Sequence, residues 1–408
     1  MQGWMDIWVQ WAALLAVAAA VGYLVQRRAG LPKVVGYTLV GTVVGLLGFG
    51  GTVWPLTGTG LFLMEFAVGL VLFECGGRLP LRWLARNPMV LVQSVAESLL
   101  TWLAVYSVMR WLGVAAQPAG LLALVATAAS PTVLVRVVAD TRAAGPVTER
   151  AIVLSTLSSL YVLALGAAGA QLLVLPGGGT PQAWEAVLKE LVTTVGMGAA
   201  LALALRLMLR LMSPLSENTA IVVLGLIATT TALAAHVGGS PPLAALLAGV
   251  LLKHFYPRPW AWPRQASSAS TLLAILMFVL VSTVAAQSPW NVAVAGSVLA
   301  LAAVRLAAKA MGVGLASPGS GASWRQALWT GGAMTPMSGV ALLVASGFMV
   351  ASPETGTLIA QIALPAILLM EVLGAVITTF ALYGAGESLK PWTPQMRERA
   401  IERERDAP

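Results

Sequence analysis

The feature that most constrains this chain is the length of its uncharged apolar runs. Trp11 to Leu24 and Leu273 to Val281 contain no charged residue, and similar runs recur from end to end. A helix needs roughly 20 apolar residues to cross the ~30 Å of hydrocarbon in a bilayer. Strands of a membrane barrel would alternate apolar and polar residues, and these runs do not. Lipid supplies no hydrogen-bond partner to the backbone, so helices that satisfy their own amides are the remaining solution. Of the 408 residues, 58% are hydrophobic and 10% charged, whereas a soluble domain is about 25% charged. The expected class is an all-α polytopic membrane protein, not an enzyme.

About thirteen candidate spans are expected. The basic residues test that number. Arg27, Arg28 and Lys33 follow the first span, and Arg78, Arg82 and Arg86 the third. Arg142 and Arg150 follow the fifth, Arg206 and Arg210 end the seventh, and Lys253, Arg258 and Arg264 follow the ninth. Arg325 follows the eleventh, and Lys390 leads into an arginine-rich tail after the thirteenth. Connections after the even spans hold few basic residues, Arg110 and Lys189 excepted. Loops rich in Lys and Arg stay in the cytoplasm. The N-terminus is therefore expected outside and the C-terminus in the cytoplasm.

The first apolar segment lacks the basic start and small-residue cleavage site of a signal peptide. It is expected to be a retained span, with Trp4 and Trp8 as interfacial anchors. Residues 1–385 are expected to form the membrane domain and 386–408 a short charged tail. The Gly/Pro-rich loop at 176–184 falls about midway and is suited to join two halves.

Several chemistries are disfavoured. One cysteine, Cys75, rules out an intrachain disulfide or a multi-cysteine metal site. The two histidines, His236 and His254, sit at span edges. The net charge of +8 comes from short loops, which argues against nucleic acid. No cofactor or resident metal is expected.

Two spans are interrupted at mid-depth by proline among small polar residues. One reads Thr127-Ala128-Ala129-Ser130-Pro131-Thr132, the other Met334-Thr335-Pro336-Met337-Ser338-Gly339. Proline removes a backbone donor and clashes with the preceding turn. Unwound backbone at membrane depth is tolerated where it lines a cavity or is buried in protein. They are the fifth and twelfth spans, seven apart and so an odd step, which makes them run antiparallel. That pairing marks inverted repeats whose half-helix ends meet at a midplane site. The expectation is two crossing broken helices near 127–132 and 334–339, with Thr127, Ser130, Thr335 and Ser338 as ligands and Pro131 and Pro336 as the breaks.

Further stretches carry a family resemblance. They are Leu31-Pro32-Lys33-Val34-Val35-Gly36-Tyr37, Gly69-Leu70-Val71-Leu72-Phe73-Glu74, Ala129-Ser130-Pro131-Thr132, and Gly145-Pro146-Val147-Thr148-Glu149-Arg150-Ala151. Pro242 to Val250 and Pro336-Met337-Ser338-Gly339-Val340-Ala341-Leu342 follow in order. Together they resemble the monovalent cation:proton antiporter superfamily, the bacterial sodium/proton exchangers of NhaA-like fold. The resemblance implies a core moving against a dimerisation scaffold, a homodimer, and a place in the bacterial inner membrane. It also implies an Asn-Asp or Asp-Asp pair in the helix after the first break. Those positions hold Ser158 and Ser159. The chain's three aspartates are Asp6, Asp140 and Asp406, and none falls at mid-membrane.

The remaining charges in the spans are few. Arg305 lies near mid-span, where a charge costs about 2.5–3.5 kcal/mol on insertion scales. It is expected to face the negative C-terminal ends of the broken half-helices or to attract an anionic group. Lys309 is expected to snorkel or to act as a structural charge. Glu74 is expected to be structural. Arg136 is expected to reach the cytoplasmic face. Glu65, Glu97 and Glu371 complete the carboxylates, with Glu97 and Glu371 as candidate proton carriers and Glu371 placed in the scaffold. The functional expectation is an alternating-access Na+ or K+:proton antiporter with a serine pair in place of the acidic one. The alternatives are an anion or organic-solute transporter acting near Arg305, and a transport-inactive sensor or scaffold.

Overall fold

The computed structural model describes residues 7–48, 54–79, 81–174, 181–213, 216–256, 264–288 and 290–388. Trp4, residues 176–180 of the mid-chain loop, Arg258, Lys390 and the tail from 389 onward lie outside the described residues, as do the side chains of Trp8 and Arg264. Among the described residues the regular structure is helical, with no strand.

The order along the chain is α1 (Ile7–Leu24), running into a π-turn (Val25–Ala29), α2 (Lys33–Leu46), α3 (Gly58–Gly76), α4 (Leu81–Arg86) and α5 (Pro88–Trp111). Then come α6 (Ala116–Thr127), α7 (Pro131–Thr141), α8 (Pro146–Val174), α9 (Pro181–Leu211), α10 (Glu217–His236) and α11 (Pro241–Phe255). The chain continues with α12 (Arg264–Ala286), α13 (Val292–Leu315), α14 (Trp324–Ala333), α15 (Gly339–Ala351) and α16 (Pro353–Gly384). Among the described residues ten segments are long and apolar enough to cross a membrane, α6 and α7 counted as one. The apolar α2, α11 and α15 are shorter, so helix length alone does not establish thirteen spans.

Local chemistry sets the helix starts. Proline occupies the first turn of α5, α7, α11 and α16, where its missing N–H has no intrahelical partner to lose. Side-chain oxygens of Ser130, Ser216 and Asn291 accept from the first turns of α7, α10 and α13. Ser323 and Gln326 form a capping box on α14.

Packing sorts the helices into two groups. In one, α5 lies along α13, and α8, α15 and α16 surround the short helices α6, α7 and α14. In the other, α3 packs on α11, α2 on α12, and α9 on α10 and α11. Backbone-to-backbone approach in the second group needs small residues. A Cβ on Gly249 would lie 2.2 Å from the Phe73 carbonyl, and one on Gly76 2.4 Å from that of Leu246. Outward faces are apolar, with Leu188, Val192, Val195 and Leu203 of α9 more than half exposed. Water would penalise such a surface, while lipid does not.

Two placements differ from expectation. α16 is not in a peripheral scaffold: it packs on α6, α7, α13, α14 and α15 of the first group and on α2 and α12 of the second. Its apolar sequence is compatible with a lipid-facing or a buried position, and the small residues Gly374 and Ala375 permit the buried one. Glu387, expected in the solvated tail, is instead built into the bundle. Its carboxylate accepts from Val147 N at 2.8 Å and from Thr148 N and Oγ1 at 2.7 Å. These are free donors at the α8 N-terminus, where an anion is favoured. Gly145 at φ 158° leaves the room, since a Cβ there would sit 2.3 Å from the Glu387 carboxyl carbon.

Candidate functional site

The helix interruptions fall at Ala128–Ser130 and Met334–Ser338, and they cross. The backbone N–H of Ser130 donates to the Pro336 carbonyl at 2.9 Å, tying the breaks together. Each interruption strips carbonyls of their intrahelical donors, and buried carbonyls require replacements.

Arg305 supplies most of them. Its side chain is 0% exposed. Nε donates to Ala126 O and Nη2 to Ala128 O, each at 2.6 Å, at the end of α6. Nη1 donates to Thr335 O, and Nη2 also reaches Pro336 O at 3.3 Å, at the end of α14. One guanidinium therefore closes the negative C-terminal ends of two half-helices. Its position in α13, the helix between the repeats' short segments, makes this span of contacts feasible.

Lys309, one turn further along α13, does not snorkel to an interface. It is fully buried and makes an ion pair with Glu97 of α5. Its ammonium also donates to Thr127 O at 3.0 Å. Glu97 accepts from Ser98 Oγ and Thr101 Oγ1 as well. The close approach rests on Gly312, where a Cβ would lie 2.6 Å from the Glu97 Cα. Gln93, a turn before Glu97, donates to Val313 O. The α5–α13 contact is thus a polar seam that ends on the first break.

The serine pair of α8 faces the same break. Ser158 Oγ donates to Thr127 O at 2.9 Å, and Ser159 Oγ to Ala129 O and Ser155 O, each at 2.9 Å. Thr127 and Thr335 turn their hydroxyls back onto Ala123 O and Gly332 O of their own helices. Ser130 Oγ is shared between Thr132 Oγ1 and the Val133 N–H.

Ser338 behaves differently. It occupies the N-cap of α15 but makes no side-chain cap. Its hydroxyl donates to Glu371 Oε1 of α16 at 2.7 Å. Glu371 is fully buried, and its Oε2 has no hydrogen-bond partner. Thr378, two turns on, serves Ala333 O. The crossing therefore gathers Arg305, Lys309, Glu97, Glu371 and the serine and threonine candidates. Glu74 lies apart, paired with Arg78 at 2.9 Å.

Polar contacts beyond the crossing join the two helix groups at one end. Arg136 of α7 donates to Thr271 Oγ1 and Ser270 Oγ of α12 at 2.8 and 2.9 Å, rather than ending in solvent. Asp140 accepts from the Lys33 N–H at the start of α2 at 2.9 Å. At the opposite end a cavity of about 380 Å³ separates α8 and α15 from α3, α9 and α11, with Glu65, Glu190, Gln171 and Ser346 in its walls. Gln171 donates to Glu190 across it at 3.0 Å. Glu190 had no place in the sequence reading because it lies in the first turns of a peripheral helix, away from any break.

Helices with two interrupted members crossing on a buried cationic pair define a membrane transporter of the cation-antiporter fold. The family model described as the transmembrane sodium/hydrogen exchanger matches residues 15–384, and the chain belongs to that family of transporters. Among solved structures it is similar to the sodium proton antiporter MjNhaP1 from Methanocaldococcus jannaschii at pH 8. That match has 17% identity, covers 95% of this chain and all of the other, and has a TM-score of 0.69. An electron-microscopy structure of the same antiporter matches with 18% identity, the same coverage and a TM-score of 0.70. No curated protein sequence matches the chain.

Proposed function

We propose that the chain is a secondary active antiporter exchanging a monovalent cation, Na+ or K+, for protons by alternating access. The exchange takes place where the interrupted helices cross, with Ser158 and Ser159 occupying the positions of the acidic pair. The observation that carries this reading is the charge arrangement there. Arg305 and Lys309 are committed to break carbonyls, and two buried carboxyls stand beside the breaks, Glu97 paired with Lys309 at the first and Glu371 bonded to Ser338 at the second. A serine hydroxyl does not titrate near neutral pH, so proton coupling falls to one of these carboxyls. The open cavity at one end, with polar links closing the other, supports access from one face at a time.

The anion alternative loses its main attraction. Four of the five N–H donors of the Arg305 guanidinium are already used on carbonyls. A transport-inactive scaffold gives no reason to keep an unpartnered carboxylate oxygen in the bundle.

The basic loops support a topology with the N-terminus outside and the C-terminus in the cytoplasm, and the reading extends to a homodimer in a bacterial inner membrane. The test is purified protein in liposomes with an imposed pH gradient. Addition of sodium, potassium or lithium dissipates the gradient under this reading. No response to any of the three at any pH removes it.

A further inference from the structure

The two repeats treat the serine at the start of their second half-helix in opposite ways. Ser130 caps α7 through the Val133 N–H. Ser338 leaves α15 uncapped and turns its hydroxyl to Glu371. The helix behind each break differs in the same sense. α8 presents Ser158 and Ser159, whose hydroxyls are spent on carbonyls of the first break. α16, the equivalent helix of the second repeat, presents a carboxyl.

The packing holds that carboxyl against the break. Gly374, one turn after Glu371, meets Pro336 so closely that a Cβ would lie 2.5 Å from the Pro336 Cα. Glu371 Oε1 accepts from Ser338, while Oε2 is enclosed with no donor. A buried polar atom without a partner is costly, and more so when it carries charge.

Charged and titratable groups on the helices packed against α16 are engaged elsewhere or make no bond to Glu371. Arg305 and Lys309 of α13 serve carbonyls and Glu97. Arg136 of α7 holds Ser270 and Thr271, and Asp140 of α7 pairs with Lys33 of α2. Tyr37 of α2 stacks on Phe278. Arg325 of α14 makes no hydrogen bond or ion pair to Glu371, and α6, α15 and the side chains described in α12 contribute no charge. Glu97 contrasts with this: both its oxygens accept, and an ammonium balances it.

We propose that Glu371 is the group that holds the proton and the transported cation in alternation, with the Ser338 hydroxyl as its companion ligand. The proposal rests on the antiport reading and assigns its proton-coupling site to the second repeat. As the acid, Glu371 Oε2 carries the proton. On release of that proton to solvent, the carboxylate binds one monovalent cation, and the site's net charge is unchanged. A single uncompensated carboxylate suits a monovalent ion. Calcium takes six to eight oxygens, commonly with several carboxylates, and no cluster of three or more His, Cys, Asp or Glu exists among the described residues.

Two measurements on the full-length protein in lipid test this. The first is cation-driven proton flux with Na+, K+ and Li+. Glu371→Gln reduces it to the level of empty liposomes, while Glu371→Asp retains flux with a displaced pH profile. Full flux in Glu371→Gln overturns the proposal while leaving antiport intact. The second is infrared difference spectroscopy of the carboxyl C=O stretch during a pH titration, which needs no transport. Wild type shows a band that titrates and shifts its midpoint when Na+ is added, and Glu371→Gln lacks it. A band indifferent to Na+, or one that persists in Glu371→Gln, overturns the assignment. A sodium-sensitive Glu371 band without flux sustains the assignment and removes antiport instead. Ser338→Ala provides a milder check: the Na+-induced shift of the midpoint shrinks while the band remains.

Discussion

The two breaks solve the same backbone problem with unequal thoroughness. At the first, Ala126 O, Thr127 O, Ala128 O and Ala129 O all receive donors, from Arg305, Lys309, Ser158 and Ser159. At the second, Ala333, Thr335 and Pro336 carbonyls are served, but Glu371, whose Oε1 accepts from the break's serine, keeps its Oε2 without a donor. Satisfied polar groups hold a structure in one state, whereas a buried carboxylate oxygen left without a donor at a helix break calls for a functional reason. The first break is therefore the fixed wall of the site and the second the working one.

Breaking the wall has the largest expected effect. Arg305→Ala removes the side-chain donors of Ala126, Ala128 and Thr335 carbonyls and leaves Pro336 O only the Ser130 N–H, a loss of about 4 kcal/mol or more. The variant is expected to be recovered poorly and to melt far below wild type in a fluorescence-detected thermal assay. Arg305→Lys recovers only part of the loss, because an ammonium cannot reach both breaks with a planar fork. Wild-type stability of Arg305→Ala would show that the guanidinium does not join the half-helices.

The α5–α13 seam comes next. Lys309→Ala strands Glu97, and removing one partner of a buried pair costs about 3–5 kcal/mol. The double variant Glu97→Ala/Lys309→Ala is expected to recover a good part of that loss. A thermal-unfolding double-mutant cycle measures the coupling, and additive losses would deny that the two interact.

Ser159→Ala has the smallest expected effect, about 1 kcal/mol of stability, because it removes a single hydroxyl donor shared between Ala129 O and Ser155 O while Ala129 O stays buried. A loss as large as that of Arg305→Ala would mean that α8, not α13, holds the first break.

Much of this architecture was legible in the chain. Uncharged runs fixed the class, and Pro131 and Pro336 among Ser, Thr and Gly located both breaks within a few residues. Arg305 stood out because an arginine at mid-span needs a reason. What was not legible is which apolar face looks inward. In a membrane both lipid and neighbouring helices accept apolar residues, so nothing in the apolar sequence of α16 warns that it lies in the core and not in the scaffold expected for it. The Lys309–Glu97 pair joins residues 212 positions apart, and the Glu387 cap reaches Thr148 across 239. No local periodicity carries such pairings. Ser338 could be chosen as a polar residue at a break, but that its hydroxyl points to Glu371 and not to its own helix is a fact of packing.

The account stands most directly on competition between protons and sodium at the second break. Equilibrium binding of radioactive sodium to purified protein over a series of pH values measures it. If one proton leaves Glu371 for each cation bound, apparent affinity rises as pH rises. The slope approaches roughly tenfold per pH unit where the group is protonated, and levels off once it is ionised. In Glu371→Gln the pH-dependent binding is absent. Sodium affinity that ignores pH, or that survives in Glu371→Gln with its pH dependence intact, would contradict the assignment of the second break as the working one.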